Sequence, residues 1–500
     1  MKRFISIILT ISIFLCVMIV DASADENTDD INAVYETIEG IISWKNIENG
    51  GSSDSIINTD MIENAGSSIY DWFVLSMGRL GKNDDYDAYT AALQEYVASG
   101  RSEIITDYQR ISLTLSACGA DDGESGALEK AVLSSLNDDN MSEKTVNALI
   151  YALLTLDSVQ YGIPEGTNLS RTSLIIGILS SRLENGAFAL SGSVPDTDIT
   201  AMAIQALAPY YNSRQLFTYT SNGEDKTASV REVVDSAVDY LSSVQLDDGD
   251  MPSWGKATCE GTAQTIIALC TMGINPNMDE RFIKNGNSLI DGLMKYSVKD
   301  GGFAHTVDGD DMTSNPLASV QSLYSLCAYC RLCNGYRNLF DMRQEQSGEL
   351  YSEINSLIKS INSMNTDDEE VLGGLLERYS DIPINERFYV RNFSKLADAL
   401  DDKGIENTAD YSADDMYDSA EPAGTAVNVT ERRTVAGEAD SVIESPDSAV
   451  QPLPSEVQSS TAVKDHTEFN STEVTILTVI LLIAIAVILI NHRRKKAADK

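Results

Sequence analysis

Five hundred residues with 43 % hydrophobic content can bury at least one large core, and a formal net charge of −40 excludes functions that rest on binding polyanions. Residues 1–24 carry +1 and the last ten +4, so the chain between them carries about −45. Such a field repels nucleic acid and anionic lipid and leaves cations, neutral ligands and basic proteins as partner classes.

The chain begins with a basic "MKRF", an apolar run ending at Val20 and the small-residue site Ala22-Ser23-Ala24. That order reads as a secretory signal peptide over 1–24. Phe14 and Leu15 are too bulky for a lipoprotein site at Cys16. Six cysteines follow, at 118, 259, 270, 327, 330 and 333, too few for a disulfide-built scaffold of this length.

From residue 25 to 344 helical spacing dominates. Apolar, Ala/Ser-rich helices are expected at 68–81, 108–121 and 145–158, and amphipathic ones at 84–100, 173–183, 230–245 and 287–298. Three longer segments share one plan: 183–211, 246–274 and 298–330 each have an acidic Gly turn, an aromatic or Met, a polar loop and an Ala-rich helix. Aligned on Thr200, Thr262 and Ser319, they bring Asp198 level with Glu260. Six apolar helices alternating with amphipathic partners can close on themselves, so the expected fold is all-α, an α/α toroid of six inner and six outer helices. Residues 345–405 show three short helical runs and form a small helical module. Residues 406–471 are acidic, rich in Ser, Thr, Ala and Pro and almost without periodicity, and read as a disordered stalk. The uncharged run within 472–490 and the basic tail 491–500 predict a single-pass membrane anchor with the tail in the cytoplasm and the toroid outside.

The repeats carry a resemblance. Gln245 and Gly249 in "QLDDGDMPSW" fit the start of a Gln-x3-Gly-x-Trp signature, while "RLENGAF" and "SVKDGGF" keep the Gly and place Phe188 and Phe303 at the Trp position. These units resemble the prenyltransferase and squalene-oxidase repeats of the terpenoid-cyclase-like toroids. They look closest to bacterial cell-surface members through "IYDWFVLSMGRLGK", "DTDITAMAIQALAPYY" and "NGYRNLFDM", over Ile69 to Met342. Cobalamin carriers of the transcobalamin and intrinsic-factor type share that toroid, so a cobalamin-type ligand is what the resemblance allows.

Two chemistries compete at Asp196 and Asp198. As a pair they suggest the carboxylic acid of a cyclase, but D-x-D-D-T-A is here D-T-D-I-T-A, and Ile199 stands at the third carboxylate. As helix-start residues they suggest caps, with Asp198 or Thr200 accepting the free N–H groups. Zinc-dependent transfer would need a paired His beside Asp and Cys, and His305 is the one histidine of 25–344. Cys327, Cys330 and Cys333 repeat at one helix stripe and are read as core, with a disulfide to Cys259 or Cys270 left open. No metal or other cofactor is expected. Tyr70, Asp71, Trp72, Phe73, Gln205, Tyr210, Tyr211, Glu260, Gln264, Gln321 and Tyr324 mix aromatics with amides and acids on or beside the apolar helices. They are the expected lining of a cavity or rim for a small molecule or surface protein, in a binding protein rather than an enzyme.

Overall fold

The computed structural model describes residues 31–417 except 52–54, 103, 121–126, 137–144, 164–168 and 308–311. The expected signal peptide, the anchor at 472–490 and the basic tail lie outside the described residues. Among those described, no helix is long and apolar enough to cross a membrane.

The chain is helix-rich, as the periodicity demands. Six helices pack in a cyclic order: α3 (Ser68–Arg79) on α5 (Ile105–Ala117), α5 on α7 (Val146–Ser158), α7 on α9 (Thr197–Leu207), α9 on α11 (Cys259–Met272), α11 on α13 (Pro316–Cys333), and α13 back on α3. These are the Ala/Ser-rich segments. With helices on both sides they are covered nearly all round, and every residue of α11 except Met272 is buried. Between them in sequence run α4 (Tyr86–Ser99), α6 (Ala127–Leu136), α8 (Arg171–Leu179), α10 (Val230–Val244) and α12 (Leu289–Met294), each packed on one or both of its neighbours in sequence. Their one-sided burial explains their amphipathic pattern: α10 buries Val230, Val233, Val234, Ala237, Val238 and Leu241 and leaves its charged residues outside. A first helix, α1, over 31–48, lies beside α13, where Tyr35 Oη accepts from Asn334 Nδ2 at 2.9 Å, and a short α2 (Thr59–Glu63) packs on α4.

The repeated plan has a physical basis. In each long unit the residue before the loop closes a tight turn, with Leu183 N–H donating to Ala187 O, Leu246 to Asp250 O and Val298 to Gly302 O. Gly186, Gly249 and Gly301 sit there at φ of +89°, +87° and +98°. A Cβ at each would stand 2.2–2.6 Å from a backbone carbonyl of the neighbouring helix, so only glycine fits. The residue after the turn then donates its N–H to the aligned hydroxyl: Phe188 to Thr200 Oγ1 at 2.9 Å, Met251 to Thr262 Oγ1 at 3.1 Å, Phe303 to Ser319 Oγ at 2.8 Å.

Two elements escaped the periodicity. Leu216–Ser221 (β1) and Glu224–Ser229 (β2) form an antiparallel hairpin, turned by Asn222 and Gly223 at φ of +53° and +79°. Asn-Gly between alternating residues is a hairpin signal, and it went unused beside the helical pattern. A second, two-residue hairpin (β3, Pro252–Ser253; β4, Lys256–Ala257) leads into α11.

After residue 344, α14 (Gly348–Asn362), α15 (Glu369–Asp381) and α16 (Phe393–Lys403) enclose a separate small core, with Tyr379 stacked on Phe393 at 3.6 Å. This module is held to the larger body through buried charge. Glu386 accepts from Arg337 Nη2 and Arg343 Nη1, each at 2.7 Å, and from Gln346 Nε2 at 2.7 Å. Burial alone would raise the Asp341 carboxyl, but Arg343 and Arg337 outweigh it and hold the group well below the usual carboxylate range. The expected stalk boundary at 406 needs correction: Tyr411, Ala413 and Met416 are buried in the large core, and Ser213 Oγ donates to Tyr411 O at 2.6 Å. Hydrogen bonds add to this anchoring: Asp410 accepts from Arg214 N at 2.9 Å, and Ala413 N donates to Gln215 Oε1 at 2.7 Å. The remainder, 418–471, lies outside the described residues.

Candidate functional site

At the N-terminal halves of the six cyclically packed helices lies a cavity of about 270 Å³, lined by Trp72 of α3, Thr106 and Arg110 of α5, Asn147 and Tyr151 of α7, Asp198 and Met202 of α9, Gln264 of α11, and Gln321 and Tyr324 of α13. At about 30 Å³ per water, that is room for roughly nine. On three helices the second and sixth residues both line the cavity, Thr106/Arg110, Asn147/Tyr151 and Asp198/Met202; on α11 and α13 only the sixth does, Gln264 and Gln321, and Glu260, expected at a ligand, lies outside the lining. Four residues make about one turn, so equivalent helix starts present equivalent faces.

The floor is an aromatic and amide layer. Trp72 packs at 5.9 Å from Tyr151 and 5.8 Å from Tyr324, centroid to centroid. Gln205 Nε2 donates to Gln264 Oε1 at 3.1 Å, and Gln264 Nε2 donates to Gln321 Oε1 at 3.2 Å and Tyr324 Oη at 2.6 Å. Below it, a cavity of about 40 Å³ lies among Gln205, Phe340, Asp341 and the module's Phe388 and Tyr389, so the module backs the far end of the six helices.

Arg110 is the positive charge of the lining and is rigidly held. Its Nε donates to Asp71 Oδ2 at 2.9 Å, Nη1 to Asp107 Oδ1 at 2.8 Å and Nη2 to Gly66 O at 2.7 Å. Asp71 is fully buried and also accepts from Tyr89 Oη at 2.7 Å and Gly66 N at 3.0 Å. The expectation that Asp71 faces a ligand is thereby corrected. It lies behind the wall and orients the residue that does.

The two aspartates of α9 divide their roles. Asp196 is the cap, its Oδ1 accepting from Ile199 N at 3.0 Å, just as Thr258 and Asn315 cap α11 and α13. Thr200 serves the turn instead. Asp198, one position into the helix, lines the cavity; its Oδ2 accepts from Ser253 Oγ at 3.2 Å while its Oδ1 is buried with no donor. Burial, then the like charges of Asp196 and Glu260, push its carboxyl up to about 6 against the Ser253 hydrogen bond. Glu260 stands in the first turn of α11 and accepts or shares a proton with His305 Nδ1 at 2.7 Å.

Of the other expected lining residues, Trp72, Gln264, Gln321 and Tyr324 are at the cavity and Gln205 lies one layer below. Tyr70 points elsewhere, donating to Asp60 Oδ2 at 2.6 Å. Phe73 is fully buried, Tyr210 Oη donates to Asp157 Oδ2 and Tyr211 Oη to Asp235 Oδ1, each at 2.7 Å. One turn of a helix carries both an inward and an outward face, and membership of the helix does not select between them. Thr106, Arg110, Asn147, Tyr151 and Met202 were missed, although the spacing of four from each helix start would have found them. The six described cysteines are all free, with Cys259, Cys270, Cys327 and Cys330 buried and Cys333, read as core, exposed, so the open disulfide alternative has no bond among them. Among the described residues no cluster of His, Cys, Asp and Glu is arranged to hold a metal ion.

No protein-family model matches the chain, and a search of curated proteins returns no significant match.

Proposed function

We propose that residues 31–344 form an α/α toroid of the prenyltransferase/squalene-oxidase-repeat kind, displayed outside the cell on an anchor at 472–490, and that it binds a ligand in its central cavity without transforming it. The cyclic order of six helices, with the amphipathic helices packed on them, supports the toroid. The observation that carries the binding reading is the cavity itself: all six central helices contribute to it, and its polar groups are held in place by buried partners such as Asp71.

The cyclase-like alternative rests on Asp198, a partly buried acid with a raised pKa. Against it, the third carboxylate position is Ile199, and Arg110, Asn147, Thr106, Gln264 and Gln321 make the walls too polar for a polyprene. Thermal unfolding of the full-length chain, with and without cobalamins, polyprenyl compounds, neutral glycans and amines, tests the binding reading. A ligand at a hundred times its dissociation constant adds about 2.7 kcal/mol, and Met202→Trp, which puts a bulkier side chain into the cavity, is expected to reduce or abolish the shift. A shift undiminished in Met202→Trp refutes a central site.

A further inference from the structure

Charge at the cavity does not balance. Arg110 is matched by Asp71 and Asp107, which leaves Asp198 on α9 and Glu260 on α11 close enough to repel each other. The groups facing Asp198 are Asp196 on its own helix, Ser253 of β3, Glu260 of α11 with His305 beyond it, and Arg110 among the lining residues. Asp198 Oδ1 receives no donor from the protein, and its residue lines the cavity. A ligand that supplies a cationic donor would meet it there.

The rest of the lining fits the same ligand. Trp72, Tyr151 and Tyr324 cluster at the cavity, and aromatic faces attract cations, Trp most strongly. The segments leading into the central helices expose large apolar side chains: Ile104 before α5, Leu190 and Val194 before α9 and Trp254 before α11, and Leu317 is exposed in the first turn of α13. Trp254 is 68 % exposed, at the tip of the β3–β4 hairpin with φ of +51°.

We propose that this cavity takes an organic ammonium group carried on an apolar body, with the ammonium between Asp198 and the aromatic side chains of the lining and the body toward the exposed apolar side chains of the segments that precede the central helices. This rests on the reading of the cavity as a binding site and names its ligand class. The source can be a free amine or a lysine side chain of a protein.

The test is isothermal titration of the full-length chain with 3-phenylpropylammonium, with the uncharged 3-phenylpropan-1-ol, and with a capped tripeptide that places Lys between two Leu. The amine is expected to bind at least tenfold more tightly than the alcohol, and more tightly at pH 7.5 than at pH 5.0, where Asp198 is protonated. Asp198→Asn, near-isosteric and therefore foldable, is expected to lose about tenfold for the amine and nothing for the alcohol. Tighter binding of the tripeptide than of the free amine identifies a protein-borne lysine, and the reverse a small molecule; either supports the ammonium. Equal binding of amine and alcohol, an Asp198→Asn variant with unchanged amine affinity, or no binding of either cation overturns the inference. A neutral ligand whose shift is lost in Met202→Trp would then leave the binding reading standing alone.

Discussion

Asp198 gives the sharpest prediction because its environment opposes its charge. Its carboxyl moves from an ordinary 3.8 to about 6, and at about 1.36 kcal/mol per unit the ionised form costs the folded state about 3 kcal/mol. The direction follows from linkage: with the folded pKa above the unfolded one, stability is full below about pH 4, falls as pH rises through about 6, and stays low above it. Asp198→Asn resembles the neutral carboxyl and has no such slope. The variant is therefore expected to be the more stable protein at pH 7 by up to about 3 kcal/mol. With an unfolding entropy of ~2.1 cal/mol/K per residue over roughly 390 residues, that is a rise in Tm of about 4 °C. Differential scanning calorimetry of both proteins from pH 4 to 8 measures it, and their difference removes titrations common to both. A difference that vanishes toward pH 4 and saturates above pH 7 is the expected curve. An equally or less stable Asp198→Asn at pH 7, or a gap independent of pH, would refute the reasoning and show Asp198 receiving donors in the manner of a cap.

Other expectations follow from groups that are satisfied. Asp71→Ala strands the buried Arg110 guanidinium, and breaking a buried pair costs about 3–5 kcal/mol; urea titration should show that loss together with weakened cavity binding. Glu386→Ala removes the shared partner of Arg337 and Arg343 and should cost about as much, with limited proteolysis cutting 345–405 before the larger body. Gly249→Ala forces a Cβ to 2.2 Å from Ser288 O at a φ of +87°, and thermal unfolding should fall by more than the ~1 kcal/mol of an ordinary glycine substitution. With the six described cysteines free, a maleimide should label exposed Cys333 ahead of buried Cys259, Cys270, Cys327 and Cys330, read by mass spectrometry, and reductant should leave Tm unchanged.

The helices were legible because burial leaves a period. Thr200, Thr262 and Ser319 could be aligned by eye, and each accepts the same backbone N–H after the same glycine turn. The hairpin at 216–229 was hidden by its setting, since a short alternating stretch between long helical runs carries little weight until Asn222-Gly223 is read as a turn. Helix α6 and the helix at 31–48 were passed over although each has the amphipathic pattern by which α4, α8, α10 and α12 were expected.

The site divides in the same way. Sequence alone placed Trp72, Gln264, Gln321 and Tyr324 on the right helices and marked Asp196 and Asp198 as the residues to explain, because capping and charge are local properties of a helix start. It could not separate those two, since they stand only two residues apart, about 200° around the helix: Asp196 turns back to Ile199 N, while Asp198 meets Ser253 and Glu260 from another unit. Nor could it assign Asp71, whose partners Arg110, Tyr89 and Gly66 lie up to 39 positions away. Helix existence is set by neighbours within a few residues, but which carboxylate is paired and which is left facing a cavity is set by contacts between helices, and only their packing supplies those.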